Sequence, residues 1–181
     1  MDHDRYTDQY IAGILGEART IAMVGASAGT SRPSSFAMKY LLGKGYEVIP
    51  VNPNLAGKEI QGRLVYASLA DIPRPVDIVD IFRSSDAAQE IVRQAIALKE
   101  KLWIKAVWMQ LGVRNDKAAA QAEAAGLKVV MNRCPKIEYG RLSGEIGWAG
   151  VNVGILSSRR PLLSGRGVQD HLIPDKAPAQ G

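Results

Sequence analysis

Residues 21–34 read IAMVGASAGTSRPS, and the fold is decided there. The apolar run at 21–24 has the length and β-branched content of a buried strand. It breaks at Gly25 into a loop of small residues, Ala26, Ser27, Ala28, Gly29 and Thr30, followed by Ser31. After Arg32, Pro33 and Ser34, apolar residues resume at helical spacing, Ala37 with Leu41 and Met38 with Leu42. Strand, small-residue turn and helix start form a device that presents backbone N–H groups to an anion. Helix N-termini carry unpaired donors and partial positive charge, and small side chains let a ligand approach the backbone. The stretch is read as a phosphate-holding turn.

Working outward, a strand is expected at 46–51, stopped by Asn52 and Pro53, because proline cannot donate to a ladder. Further strands are expected at 76–82, 104–109 and 127–131. Helices are expected at 34–42, from Asp86 as N-cap onward, and from Asn115 to Gly126, with one short amphipathic helix ahead of the first strand carrying Tyr10, Ile11, Ile14 and Leu15. That first helix reads as cover for one edge of the sheet. Residues 54–75 are irregular, with one helical turn at 68–72. One or both of Asp77 and Asp80 are expected near the ends of their strand or on a wet face.

This alternation argues for an α/β fold, Rossmann-like and doubly wound, with a mainly parallel sheet and helices on both faces. In such folds ligands bind beyond the carboxyl ends of the strands, where strand order reverses. Those ends are the 25–34 turn, Asn52 with Pro53, Phe82 with Arg83 and Ser84, and Gln110 with Leu111 and Gly112. Four segments turning small or polar at one edge define one crevice. Residues 1–142 are read as the domain, and 143–181 as a Gly-, Pro- and Ser-rich extension.

Composition narrows the function. The chain has 181 residues, a formal net charge of +5 and 46% hydrophobic residues, which suits one soluble globular domain. There is no apolar run of bilayer length, and the first ten residues are too acidic and polar for a secretory signal, so a cytoplasmic location is expected. One cysteine, Cys134, makes no internal disulfide, and no Cys/His cluster suggests a metal. Lysines and arginines are scattered, without the footprint of a nucleic-acid surface.

The dinucleotide fingerprint G-x-G-x-x-G fails when aligned on Gly25, because Ser27 and Thr30 stand at the second and third glycines. The acid that would hold the ribose of NAD is replaced by Asn52. Residues 25–29 also satisfy G-x-S-x-G, but a nucleophile elbow needs an oxyanion loop earlier in the chain and a placed histidine. The downstream histidine, His171, lies in the extension. Trp103, Trp108 and Trp148 read as core or interface residues. No acid–base constellation emerges, and no catalytic residue is assigned.

The combination VGAS with SRPS, then GYEVIPVNP, SLADIP with PVDIVDIFR, AVWMQLGV and VVMNRCPKIEYGRL, resembles the small stand-alone coenzyme A-binding proteins. These are related to the CoA-binding domain of the succinyl-CoA synthetase α subunit. The likeness runs from about residue 15 to residue 142. It implies a Rossmann-like domain holding coenzyme A or an acyl-CoA in the crevice, without catalysis of its own. Gly25, Ala26, Ser27, Ala28, Gly29 and Thr30 would meet the diphosphate. Asn52 and Pro53, with Lys58 beyond, would lie near the nucleotide. Phe82, Arg83, Ser84, Gln110, Leu111 and Gly112 would complete the site, with Arg32 and Ser34 as further phosphate contacts. The synthetase's phosphorylated histidine domain has no counterpart, since only 47 residues follow Cys134. Two readings remain beside this one: a non-catalytic synthetase subunit with a separate ATP-grasp partner, and an NAD(P)-binding regulatory module. A homo-oligomer or a synthetase-type partner is the assembly left open, as is a reactive role for Cys134.

Overall fold

The computed structural model describes residues 1–144; expectations placed on 145–181, including those for Trp148 and His171, lie outside the described residues. Five strands form one parallel sheet: β1 (Thr20–Val24), β2 (Glu47–Val51), β5 (Ile78–Ile81), β6 (Ala106–Met109) and β7 (Lys128–Val130). Their spatial order is β2-β1-β5-β6-β7. A small antiparallel hairpin, β3 (Glu59–Ile60) and β4 (Arg63–Leu64), stands apart. The helices are α1 (Asp8–Glu17), α2 (Pro33–Gly43), α3 (Ser85–Ala97), α4 (Lys99–Leu102), α5 (Asp116–Ala124) and α6 (Pro135–Leu142).

Parallel strands are buried on both faces, so they are apolar throughout and successive residues serve opposite layers. Ala22, Ile49, Val79, Ile81, Val107 and Val129 face α3 and α5, which contribute Ala88, Val92, Ala118 and Ala122. Ile21, Met23, Val48, Ile78, Trp108 and Val130 face α1, α2 and α6, which contribute Leu15, Met38, Leu41 and Tyr139. Strand order reverses between β1 and β5, so the open crevice lies beyond the carboxyl ends of those two strands.

The expected strands and main helices all form, with shorter ends for most of the strands. Three details differ. Ser84, not Asp86, caps α3, its hydroxyl accepting from Ala87 N at 3.3 Å; Asp86 sits in the first turn, where a carboxylate suits the dipole. Cys134-Pro135 does not break the chain but starts α6, because proline at the first helical position forfeits no hydrogen bond. Trp103 is 70% exposed rather than core, and adopts the left-handed region at φ 60° where α4 ends. Of the two aspartates, Asp77 stands at the start of its strand and is half-buried, as expected, whereas Asp80 is fully buried inside it.

Both rims of the sheet are closed. The outward amides of β7 and the residue after it are taken by tyrosine hydroxyls, Val129 N donating to Tyr10 and Met131 N to Tyr6. On the far rim, Pro50 O accepts from Tyr66 N at 3.0 Å and Asn52 N donates to Tyr66 O at 2.9 Å. The expected edge cover by the first helix is therefore present, made by Tyr10 on α1 with Tyr6 just before it.

Candidate functional site

The corner is built on Gly25, whose φ of 91° lies in the left-handed region. A Cβ there would stand 2.5 Å from the Phe82 carbonyl and 2.9 Å from Arg83 Cδ, so only glycine lets the β1 and β5 loops meet. Gly25 N donates to Val51 O at 2.9 Å and Phe82 N to Val24 O at 2.8 Å, which ties three strand ends together. Asn52 adds a fourth tie. Its carboxamide donates to Ala26 O at 2.8 Å while its Oδ1 accepts from Asn54 N.

Within the turn, Ser27 Oγ accepts from Gly29 N and Ser34 Oγ from Ser27 N, both at 3.2 Å. The N–H groups of Ala28, Thr30 and Ser31 have no acceptor among the described residues. Unpaired amides before a helix whose first residue is Pro33 form a donor cluster suited to an oxyanion. Arg32, at the N-cap of α2, and Arg83 carry no ion pair with any described residue. By contrast Arg74, Arg93, Arg114, Arg133 and Arg141 all meet carboxylates. Arg32 and Arg83 thus stand beside the free amides without a carboxylate partner among the described residues, as Arg5, Arg19 and Arg63 do elsewhere on the surface.

Two clefts flank this turn. One, of about 450 Å³, lies between the end of β2 and α3 and brings together Gly25, Asn52, Pro53 and Arg83 with Ser68, Glu90 and Gln94. Its apolar floor is Val24, Val51, Leu69 and Ile91. The other, of about 660 Å³, opens between α2 and the β3–β4 hairpin and is bordered by Ala28, Thr30, Phe36 and Lys39. Gln61 at the hairpin tip, held at φ 50°, donates through Nε2 to the Ser35 carbonyl and hydroxyl at 2.9 and 3.2 Å.

The remaining residues singled out from sequence are placed as follows. Ala26 is buried, and Ser34 and Ser84 spend their hydroxyls on Ser27 N and Ala87 N. Lys58 is exposed after the turn at Pro53–Leu55 and lines neither cleft. Phe82 is half-buried at the end of β5. Gln110, Leu111 and Gly112 stand at the same edge after β6 but line neither cleft. Ser68, Glu90 and Gln94 were missed, since nothing in their local pattern distinguishes them from ordinary cap and helix-surface residues.

Other candidates yield less. Burial pushes the Cys134 thiol up, with the amides of Ile137 and Lys136 working against it and Asp80 adding to it. A thiol so placed is less ionised than a free one. No group of acidic, histidine or cysteine side chains among the described residues could hold a metal. No described helix is long and apolar enough to cross a membrane.

A parallel sheet with a glycine turn, free amides and unpaired arginines at its switch point defines a domain of Rossmann type. Comparison with known proteins narrows this: residues 19–140 match the CoA binding domain family, and the chain belongs to it. It is 32% identical over 129 residues to the uncharacterized protein YneT of Bacillus subtilis, covering 71% of this chain and 91% of the relative. A hypothetical protein from Pyrococcus horikoshii superposes with a TM-score of 0.70 at 42% identity, covering 76% of this chain and 93% of that one. An acetyl-coenzyme A synthetase of Ca. Korarchaeum cryptofilum, solved with phosphate and ADP, superposes with a TM-score of 0.55 at 25% identity. The overlap is 65% of this chain and 26% of the synthetase.

Proposed function

We propose that this protein holds coenzyme A or an acyl-CoA in the crevice at the carboxyl ends of β1, β2, β5 and β6, and has no catalysis of its own. The observation that carries the reading is the meeting of free turn amides with two unpaired arginines, on a chain of the CoA-binding family. In this reading the 25–34 turn, Arg32 and Arg83 take the diphosphate. The cleft of Asn52, Ser68 and Gln94 takes the nucleoside, and the 110–112 turn borders the remaining arm.

Isothermal titration with CoA, acetyl-CoA, NAD and NADP tests it. Saturable heat with CoA or acetyl-CoA, and none with the nicotinamide nucleotides, is the expected result. Binding of NAD without CoA overturns the reading. Acyl-CoA formation on adding an ATP-grasp polypeptide would replace it with the synthetase-subunit reading.

A further inference from the structure

One peptide plane in the anion turn is held at both ends by side chains from different elements. The Ala26 carbonyl accepts from Nδ2 of Asn52, just past β2, at 2.8 Å. On the other side of the same peptide, Ser27 N donates to Oγ of Ser34, in the first turn of α2, at 3.2 Å. A trans peptide points its C=O and N–H in opposite directions, so bonds at both ends fix its rotation. Ser27 passes the constraint onward, because its own Oγ accepts from Gly29 N at 3.2 Å. The amides that follow this plane, those of Ala28, Thr30 and Ser31, are the ones left without an acceptor among the described residues.

Both clamping side chains are themselves fixed. Asn52 N donates to Tyr66 O at 2.9 Å, its carbonyl accepts from Leu55 N at 3.1 Å, and its Oδ1 accepts from Asn54 N at 2.9 Å. A carbonyl on one side and an N–H on the other leave the carboxamide a single orientation. An ionised aspartate could accept from Asn54 N but could not donate to Ala26 O. The carboxamide that stands in place of the ribose-binding acid of dinucleotide folds is thus turned to the chain itself. Ser34 is only 4% exposed, and its hydroxyl oxygen faces the Ser27 amide.

We propose that Asn52 and Ser34 are positioning residues of the anion turn: together they clamp the Ala26–Ser27 peptide, and the clamp aims the amides of Ala28, Thr30 and Ser31 at a diphosphate that neither side chain touches. The inference rests on the coenzyme reading for its ligand, but the clamp does not.

The test uses Asn52→Ala, Ser34→Ala and the double variant. Solvent-exchange NMR reads the clamp without ligand. Loss of Asn52 speeds exchange at Ser27 N, which is bonded to Ser34 and not to Asn52, by roughly fivefold. Binding is read by calorimetry with CoA and by amide-shift titration with inorganic pyrophosphate, which carries no nucleoside. Each single variant weakens both ligands by the same factor, roughly fivefold. The double variant is little weaker than either single, because both losses free one peptide. The bond to Asn54 N, also lost in Asn52→Ala, adds independently and drops out of the cycle.

Unchanged Ser27 exchange in Asn52→Ala, or single losses that multiply in the double variant, overturn the proposal. A loss in Asn52→Ala seen with CoA and not with pyrophosphate makes Asn52 a nucleoside contact and also overturns it. So does a wild type that takes CoA but not millimolar pyrophosphate. Faster Ser27 exchange with neither ligand bound by the wild type leaves the clamp standing and overturns the coenzyme reading instead. If the double variant does not fold, the Ser27 exchange and the pyrophosphate losses of the two single variants decide.

Discussion

The phenol of Tyr10 meets Val129 twice, accepting from its amide at 3.0 Å and donating to its carbonyl at 3.1 Å. One side chain thereby satisfies both outward groups of an edge residue that would otherwise offer itself to another strand. Tyr6, stacked on Tyr10 with ring centroids 5.9 Å apart, does the same for the Met131 amide. Tyr10→Phe keeps the ring and removes the oxygen, so it isolates this bond. A loss of about 1 kcal/mol in urea unfolding is expected, with greater aggregation on partial unfolding than in the wild type.

Gly25→Ala places a methyl on the Phe82 carbonyl in a backbone region that L residues avoid. Strain and collision together should cost roughly 3 kcal/mol, read as a lowered Tm. Because the same contact joins the β1 and β5 loops, CoA heats should vanish at temperatures where the variant is still folded.

Arg83 carries no carboxylate partner and packs against the glycine turn. Arg83→Ala should weaken CoA binding roughly tenfold while leaving Tm near the wild-type value. The remaining affinity should depend less on salt than in the wild type, since one exposed charge contact is gone. Equal affinities at low and high ionic strength in the two proteins would contradict this.

Two aspartates three residues apart act on stability with opposite signs. Burial pushes Asp77 up, but the Lys105 ammonium at 2.7 Å and the amides of Arg19 and Thr20 outweigh it and hold the carboxyl below its usual range. Its contribution is present above the unfolded pKa and is lost as pH falls through the folded one. Asp80 runs the other way. Between an unfolded value near 3.8 and a folded value near 8, the native state holds a proton that the unfolded chain has released, so stability falls as pH rises through that window and levels off above it. Urea melts should show Asp80→Asn more stable than wild type at pH 7, by on the order of 2 kcal/mol. The advantage should shrink toward pH 4. Asp77→Asn should blunt the acid limb alone.

How much of this was legible in the chain follows from distance along it. The strands declared themselves by apolar runs closed by Gly, Asn or Pro. The ends at Gly25, Asn52 and Arg83 were readable as one edge once the strands were taken as parallel. The β3–β4 hairpin was not legible, because two-residue strands have no period to detect. Helix α6 was hidden behind Cys134-Pro135, which reads equally as a stop and as a start. Ser68, Glu90 and Gln94 entered the cleft only through tertiary folding. The burial of Asp80 escaped because a strand covered on both faces gives a polar residue no dry or wet side to declare.

The bond from Gln61 to the first turn of α2 makes the hairpin a mechanical extension of the anion corner. A peptide loop otherwise free to vary in length is pinned at its tip to the helix that begins the turn. Insertions between residues 57 and 66 will therefore be felt at Thr30 and Ser31 before they are felt in the core, so evolution or design can retune the corner from outside without disturbing the sheet.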